Sequence, residues 1–321
     1  GLETWAAKSL PSLDLKLLPG IVPILLAQGG DVATKLLSVI ETRIPDMPGS
    51  VLSDIIMRQQ KTTEFSGKGG KKRGVHVVGG TRAEALHERL ITTVNEKIWN
   101  MEGRQEYLDS FSAQEVANIA HALVHMSLPK NLLVKTMVMF TKDVPEGRIY
   151  DDFALSGIQW ARGRAGMQSG KFEIFAASRV ADMINGKDCA ACLHGMSKIG
   201  LKQDDVQKLA DRFCETSRVA LWETFDRPSL ALSLRSLTKI LHVSKHAEVF
   251  TKAAPHAEVA LHNAYPKDLA MLTWVFATVN NSNPRTREID KFFSTAASVI
   301  VPQAEKFSQM DKFCRNIYRC S

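Results

Sequence analysis

The chain has 321 residues, 45 % of them hydrophobic, and a formal charge of +7 from 41 basic and 34 acidic residues. That length and apolar content exclude a disordered tail and suffice for a substantial core, in two or three domains or one elongated array. The charge is a bias toward polyanionic partners rather than a basic block. Five cysteines, an odd number in a chain of this size, exclude a disulfide framework and point to a reducing compartment.

The longest apolar run, LLPGIVPILLA at 17–27, is too short for a bilayer span and holds two prolines, so no membrane-spanning helix is expected. Helical spacing of apolar residues marks DVATKLLSVIETRI (31–44) and RAEALHERLITTVNEKIW (82–99). Residues 1–59 read as an N-terminal helical cap or degenerate repeat, 60–81 as a basic, glycine-rich loop, and 82–110 as a helical capping segment. Connections of that length inside a helical array are functional or disordered.

Within the loop, GKGGKKRG (67–74) interleaves glycines with Lys68, Lys71, Lys72 and Arg73. It lacks both the hydroxyl and the preceding strand of a Gly-x4-Gly-Lys-Ser/Thr phosphate loop, and the following GVHVVGG contains no Gly-x-Gly-x-x-Gly. Two readings stand: a solvated loop, or an arm that orders on a nucleic-acid backbone while its glycines permit close approach.

From Phe111 onward the pattern is helical throughout, broken by SLPKN, VPEGR, NGKD, DRPS and NNSNP. The segments EVANIAHAL, DFALSGIQW, DCAACLHGM, SLALSLRSL, DLAMLTWVF and KFSQMDKFC overlay without a gap. Their second residues, Val116, Phe153, Cys189, Leu230, Leu269 and Phe307, are separated by 37, 36, 41, 39 and 38 positions. That column is apolar, as is the one seven residues later, which places both on one helical stripe. The third column is small (Ala117, Ala154, Ala190, Ala231, Ala270, Ser308) and admits a close neighbour. Second helices lie between, as in NLLVKTMVMFTKD (131–143), KFEIFAASRVADMI (171–184), QDDVQKLADRFCETS (203–217), HAEVFTKAA (246–254) and REIDKFFSTAASVI (287–300). A helix pair recurring at about 38 residues cannot bury its apolar faces alone. The predicted fold is all-α, an α-solenoid over 111–321 of about five and a half helix pairs.

Two further columns, five and nine residues after the first, hold His121 and His125, Ile158 and Arg162, His194 and Lys198, Arg235 and Lys239, Trp274 and Thr278, Lys312 and Asn316. They lie one turn apart, opposite the apolar stripe, and contain no acid. Acids sit on the second helices instead, including Asp143, Glu173, Asp204, Asp205, Asp211, Glu215, Glu248 and Glu288. An ordinary solvated face also carries Lys, Arg and His, but it tolerates Glu as readily. A row of cations suits a phosphate chain, and Trp274 is either a base-stacking ring or part of the packing. The candidate RNA contacts are therefore His121, His125, Arg162, His194, Lys198, Arg235, Lys239 and Lys312, with Lys68, Lys71, Lys72 and Arg73 of the loop.

The first helices EVANIAHALVHMSL and DCAACLHGMSKIGL, recurring at this period, resemble the octotricopeptide and heptatricopeptide repeats of organellar RNA-binding proteins. These include proteins with a RAP domain and the helical part of FASTK-type mitochondrial proteins. The resemblance covers 111–317; the Pro-Pro-Pro-Glu-Trp signature of many octotricopeptide repeats is missing, and no RAP-like α/β pattern is read after NIYRCS. It implies a mitochondrial location and work on RNA, most concretely as a structural subunit that clamps ribosomal RNA among neighbouring proteins of a mitochondrial ribosome. Other readings are an RNA stability or processing factor, or a protein-binding scaffold in another large organellar assembly.

Catalytic signals are absent from this reading. Cys189 and Cys192 form a lone CxxC with no second half, and His121 and His125 have helical i, i+4 spacing without a third ligand. Acidic pairs such as Asp151–Asp152 fall at helix starts, where negative charge suits the dipole. The expectation is a non-enzyme with no metal and no cofactor.

Overall fold

Short polar side chains that cap backbone N–H groups cut this chain into helices. The computed structural model describes residues 9, 12–28, 30–64, 81–145, 147–215, 219–282 and 286–303, and among these there are sixteen α-helices and no strand. The first five are α1 (Leu18–Gln28), α2 (Gly30–Arg43), α3 (Gly49–Glu64), α4 (Thr81–Trp99) and α5 (Arg104–Asp109). Next come α6 (Ala113–His125), α7 (Lys130–Thr141), α8 (Asp152–Ala165), α9 (Lys171–Arg179), α10 (Gly186–Ile199) and α11 (Gln203–Cys214). The last are α12 (Val219–Glu223), α13 (Arg227–Ile240), α14 (Ala247–Leu261), α15 (Pro266–Ser282) and α16 (Arg287–Ile300).

Five of these helices begin at a side-chain cap; before α16, Thr286 accepts from the Ile289 N–H at 3.4 Å. Ser112 accepts from the Glu115 N–H at 3.2 Å while Glu115 accepts from the Ser112 N–H at 2.8 Å, closing a capping box ahead of α6. Asp151 accepts from Ala154 N–H at 2.7 Å, Asn185 from Lys187 at 3.0 Å and Asp226 from Ser229 at 3.0 Å, opening α8, α10 and α13. Each such cap stabilises its helix by about 1 kcal/mol. At its other end α8 stops on Gly166, whose φ of 68° is left-handed and closes the last turn.

The chain divides into two units after Phe172, within α9. In the first, α1 packs on α3, α3 on α6 and α6 on α8, while α2, α4 and α7 pack in succession as a second row. In the second, α10 packs on α13 and α13 on α15, with α11, α14 and α16 forming the companion row. Alternate helices are thus neighbours, because each has one apolar stripe for its own row and another for the row beneath. Buried Phe111, Phe140 and Leu123 in the first unit and Phe213, Phe250, Phe276 and Phe292 in the second fill the space between rows. Each such side chain contributes roughly 1.5–3 kcal/mol relative to exposure.

Close approach is taken furthest at Gly186, the first residue of α10. A Cβ there would stand 2.7 Å from Phe225 Cα and 2.8 Å from the Thr224 carbonyl oxygen, so only glycine lets the segment before α13 lie against α10.

Element boundaries depart from the sequence reading in three places. Helix α3 runs to Glu64, into the stretch read as loop, and α14 runs to Leu261 with Pro255 inside it. A separate short helix, α12, follows α11. Residues 65–80, with the basic loop's Lys68, Lys71, Lys72 and Arg73, and 304–321, with Lys312, lie outside the described residues. No helix among the described residues is long and apolar enough to cross a membrane.

Candidate nucleic-acid interface

The caps supply a register that the apolar overlay lacked. Counting from Ser112, Asp151, Asn185 and Asp226, and from Tyr265 before α15, the fourth residue on is Val116, Leu155, Cys189, Leu230 and Leu269, every one buried. The ninth and thirteenth are His121 and His125, Trp160 and Arg164, His194 and Lys198, Arg235 and Lys239, Trp274 and Thr278. Four of the five described first helices keep the register read from sequence; α8 slips by two.

That slip corrects two assignments. Phe153, matched to the apolar column, is 61 % exposed, and Arg162, taken as an outward cation, is buried at 3 %. Arg162 Nη1 donates to the Thr141 carbonyl at 3.0 Å and to Thr141 Oγ1 at 2.7 Å, and its guanidinium carbon stands 5.3 Å from the Phe172 ring centroid. It is a core residue that ties α8 to the end of α7, and Ile158 beside it is fully buried. The outward cation of α8 is Arg164, which sequence reasoning missed; Asp151 as its cap was the available signal.

In the second unit the corrected columns bring three cations together. Lys198 ends α10, Arg235 and Lys239 lie on the last turns of α13, and the two helices pack side by side. None of the three makes an ion pair among the described residues. Partial burial, then the positive charges of Arg235 and Lys198, hold the Lys239 ammonium below the ordinary lysine range. Lys198 and Lys239, in the last turns of their helices, draw some support from the dipole without an acid. Trp274 on α15 is 36 % exposed in the same register.

Four other cations in this unit are paired with acids. On the companion row Lys252 pairs with Glu248 at 3.1 Å, Lys291 with Glu258 at 3.1 Å, and Arg212 with Asp182. At the opposite end of the first-row helices Lys187 meets Asp226 at 3.5 Å. Burial raises the Asp226 carboxyl, but the Ser229 hydrogen bonds and Lys187 outweigh it and hold the group below its ordinary value. Glu173, one of the acids placed on the second helices, is fully buried. Segregation of charge by helix is therefore incomplete: Lys198, Arg235 and Lys239 bear on one another at one end of α10 and α13, while Lys202, Lys208, Lys245, Lys267 and Arg287 also make no ion pair among the described residues.

In the first unit the same columns hold rings. His121, His125 and Trp160 lie against one another on α6 and α8, with Arg164 at the edge. Cys189 and Cys192 are buried in α10, and no group of three His, Cys, Asp or Glu among the described residues has metal-ligand placement. No protein-family model matches this sequence, and no curated protein matches it as a relative.

Proposed function

We propose that the chain is an α-solenoid of helix pairs repeating at about 38 residues, and that it binds RNA as a structural component of a mitochondrial ribosome. The observation that carries the reading is the group Lys198, Arg235 and Lys239, which holds three positive charges together with no acid among them. Keeping like charges adjacent costs free energy unless a polyanion offsets it, and a phosphate chain does so with a largely sequence-independent, salt-sensitive affinity. Recurrence of the caps and buried columns supports the solenoid. The likeness of the first helices to organellar repeat proteins is what suggests the mitochondrion.

A protein-binding scaffold is the second reading, in which the same cationic group meets an acidic protein surface instead of a phosphate chain. Ultraviolet crosslinking in native extract, with sequencing of bound RNA and peptide mapping, separates the two. Crosslinks in 194–198 and 235–239 with organellar ribosomal RNA recovered support the RNA reading. Co-sedimentation with a large complex that survives nuclease, with no crosslinked RNA, supports the scaffold.

A further inference from the structure

The first-row face of the first unit carries chemistry other than charge. His121 and His125, one turn apart on α6, have ring centroids 4.6 Å apart. Both rings lie nearly parallel to the indole of Trp160 on α8, at 5.5 and 5.7 Å with 26° between the planes. Arg164, one turn on, brings its guanidinium carbon to 6.0 Å from that indole centroid. His125 and Arg164 are exposed and His121 and Trp160 half-buried, so part of the ring surface reaches solvent.

Core aromatics in the same unit pack differently. Phe111 meets Tyr107 and Phe140 edge-on, at 82° and 65°, with Phe111 itself fully buried. Near-parallel rings left partly open and bordered by a guanidinium are instead the surface on which a flat heterocycle stacks beside a phosphate. Acids on α6 and α8 are confined to the first turn, at Glu115 and Asp152, about 1.7 turns or more from the rings. An acidic peptide would engage Arg164 and leave the rings unused, and a duplex keeps its bases inside.

Resting on the RNA reading above, we propose that His121, His125, Trp160 and Arg164 form a stacking shelf for an unpaired base of single-stranded RNA, with Arg164 on the adjoining phosphate. The ligand class is thus single-stranded rather than duplex RNA, and the contact is to the base as well as to the backbone.

The test measures binding of the full chain to three labelled probes: a single-stranded oligoribonucleotide, the same strand with abasic sites, and a duplex of equal length. Trp160→Leu should weaken the single strand roughly 5- to 100-fold, as expected for one lost stacked base, and leave abasic binding and the salt slope unchanged. Trp160→Phe should retain most of the affinity. His125→Ala, at an exposed site that does not endanger folding, should give a smaller loss in the same pattern. Equal losses on the abasic strand, or no loss on the single strand for either Trp160→Leu or His125→Ala, overturn the shelf while leaving the RNA reading intact. A wild-type chain that binds none of the probes overturns both.

Discussion

Two faces built on one register differ in what they offer. In the first unit the ninth and thirteenth positions after the cap carry His121, His125, Trp160 and Arg164, whose rings touch across α6 and α8. In the second they carry His194, Lys198, Arg235 and Lys239, with the Lys and Arg charges bearing on one another across α10 and α13. Fold position therefore fixes which side chains face outward, and residue type decides how they hold a ligand. Ring surface gives a contact nearly indifferent to salt, whereas unmatched ammonium and guanidinium groups give one that falls steeply with it.

The largest effect should come from removing the second unit's charge. Lys198→Ala/Arg235→Ala/Lys239→Ala together should weaken RNA binding roughly 100-fold at low salt and lower the log–log salt slope by about 2. Arg164→Ala in the first unit should lower that slope by only about 0.7, one phosphate's share on a single strand. Fluorescence anisotropy across a salt series reads both. Equal slopes in the triple variant and the wild type would mean that the three cations meet no phosphate.

Why the first of these faces was harder to read from sequence is visible in α8. The run DDFALSGIQWARGR has apolar residues at 153, 155, 158 and 160, so two helical phases fit, and two adjacent aspartates both qualify as its cap. A gapless overlay selects Phe153 for the core; the fold selects Leu155, because Asp151 caps and Arg162 can reach the Thr141 carbonyl and the Phe172 ring. Those partners are distant in sequence, and nothing local announces that an arginine will be buried. In α10 and α13 no such ambiguity exists: Cys189, Leu193 and Met196, or Leu230, Leu234 and Leu237, define one phase, and the outward Lys198, Arg235 and Lys239 follow from it. Alternation of first and second helices was legible because it rests on period alone. Which cations lack a partner was not, because pairing depends on side chains across helices.

Glycines sharpen the contrast at the level of packing. Gly186→Ala places a Cβ 2.7 Å from Phe225 Cα, a backbone atom that cannot swing aside, so the segment before α13 must shift. Destabilisation of about 1–3 kcal/mol is expected. Gly157 in α8 has only the Ala117 Cβ at 3.7 Å, an ordinary contact, so Gly157→Ala should stabilise by up to about 1 kcal/mol through helix propensity. Denaturant melts of both variants check the pair. A neutral Gly186→Ala would mean that α10 and the Phe225 segment lie further apart than described.

The smallest expected effect is a pH dependence of the second unit's stability, centred on His246. This side chain is 6 % exposed just before α14, and its Nε2 makes no hydrogen bond. Burial pushes the imidazole below its ordinary value; Asp211 opposes this, while His242 and Lys245 add to it. His242 itself is held on Gln203 Oε1 at 3.0 Å. In the unfolded chain the ring takes up a proton near pH 6.5, but in the fold it does so only at lower pH. Between those two points the unfolded state binds more protons, so stability must decline as pH falls below about 6.5 and level off beneath the folded value. Thermal midpoints of the full chain at pH 7.5, 6.5 and 5.5 should fall in that order, and His246→Gln, which cannot titrate, should flatten the decline whatever its own midpoint. An identical decline in His246→Gln would assign the acid sensitivity to other groups.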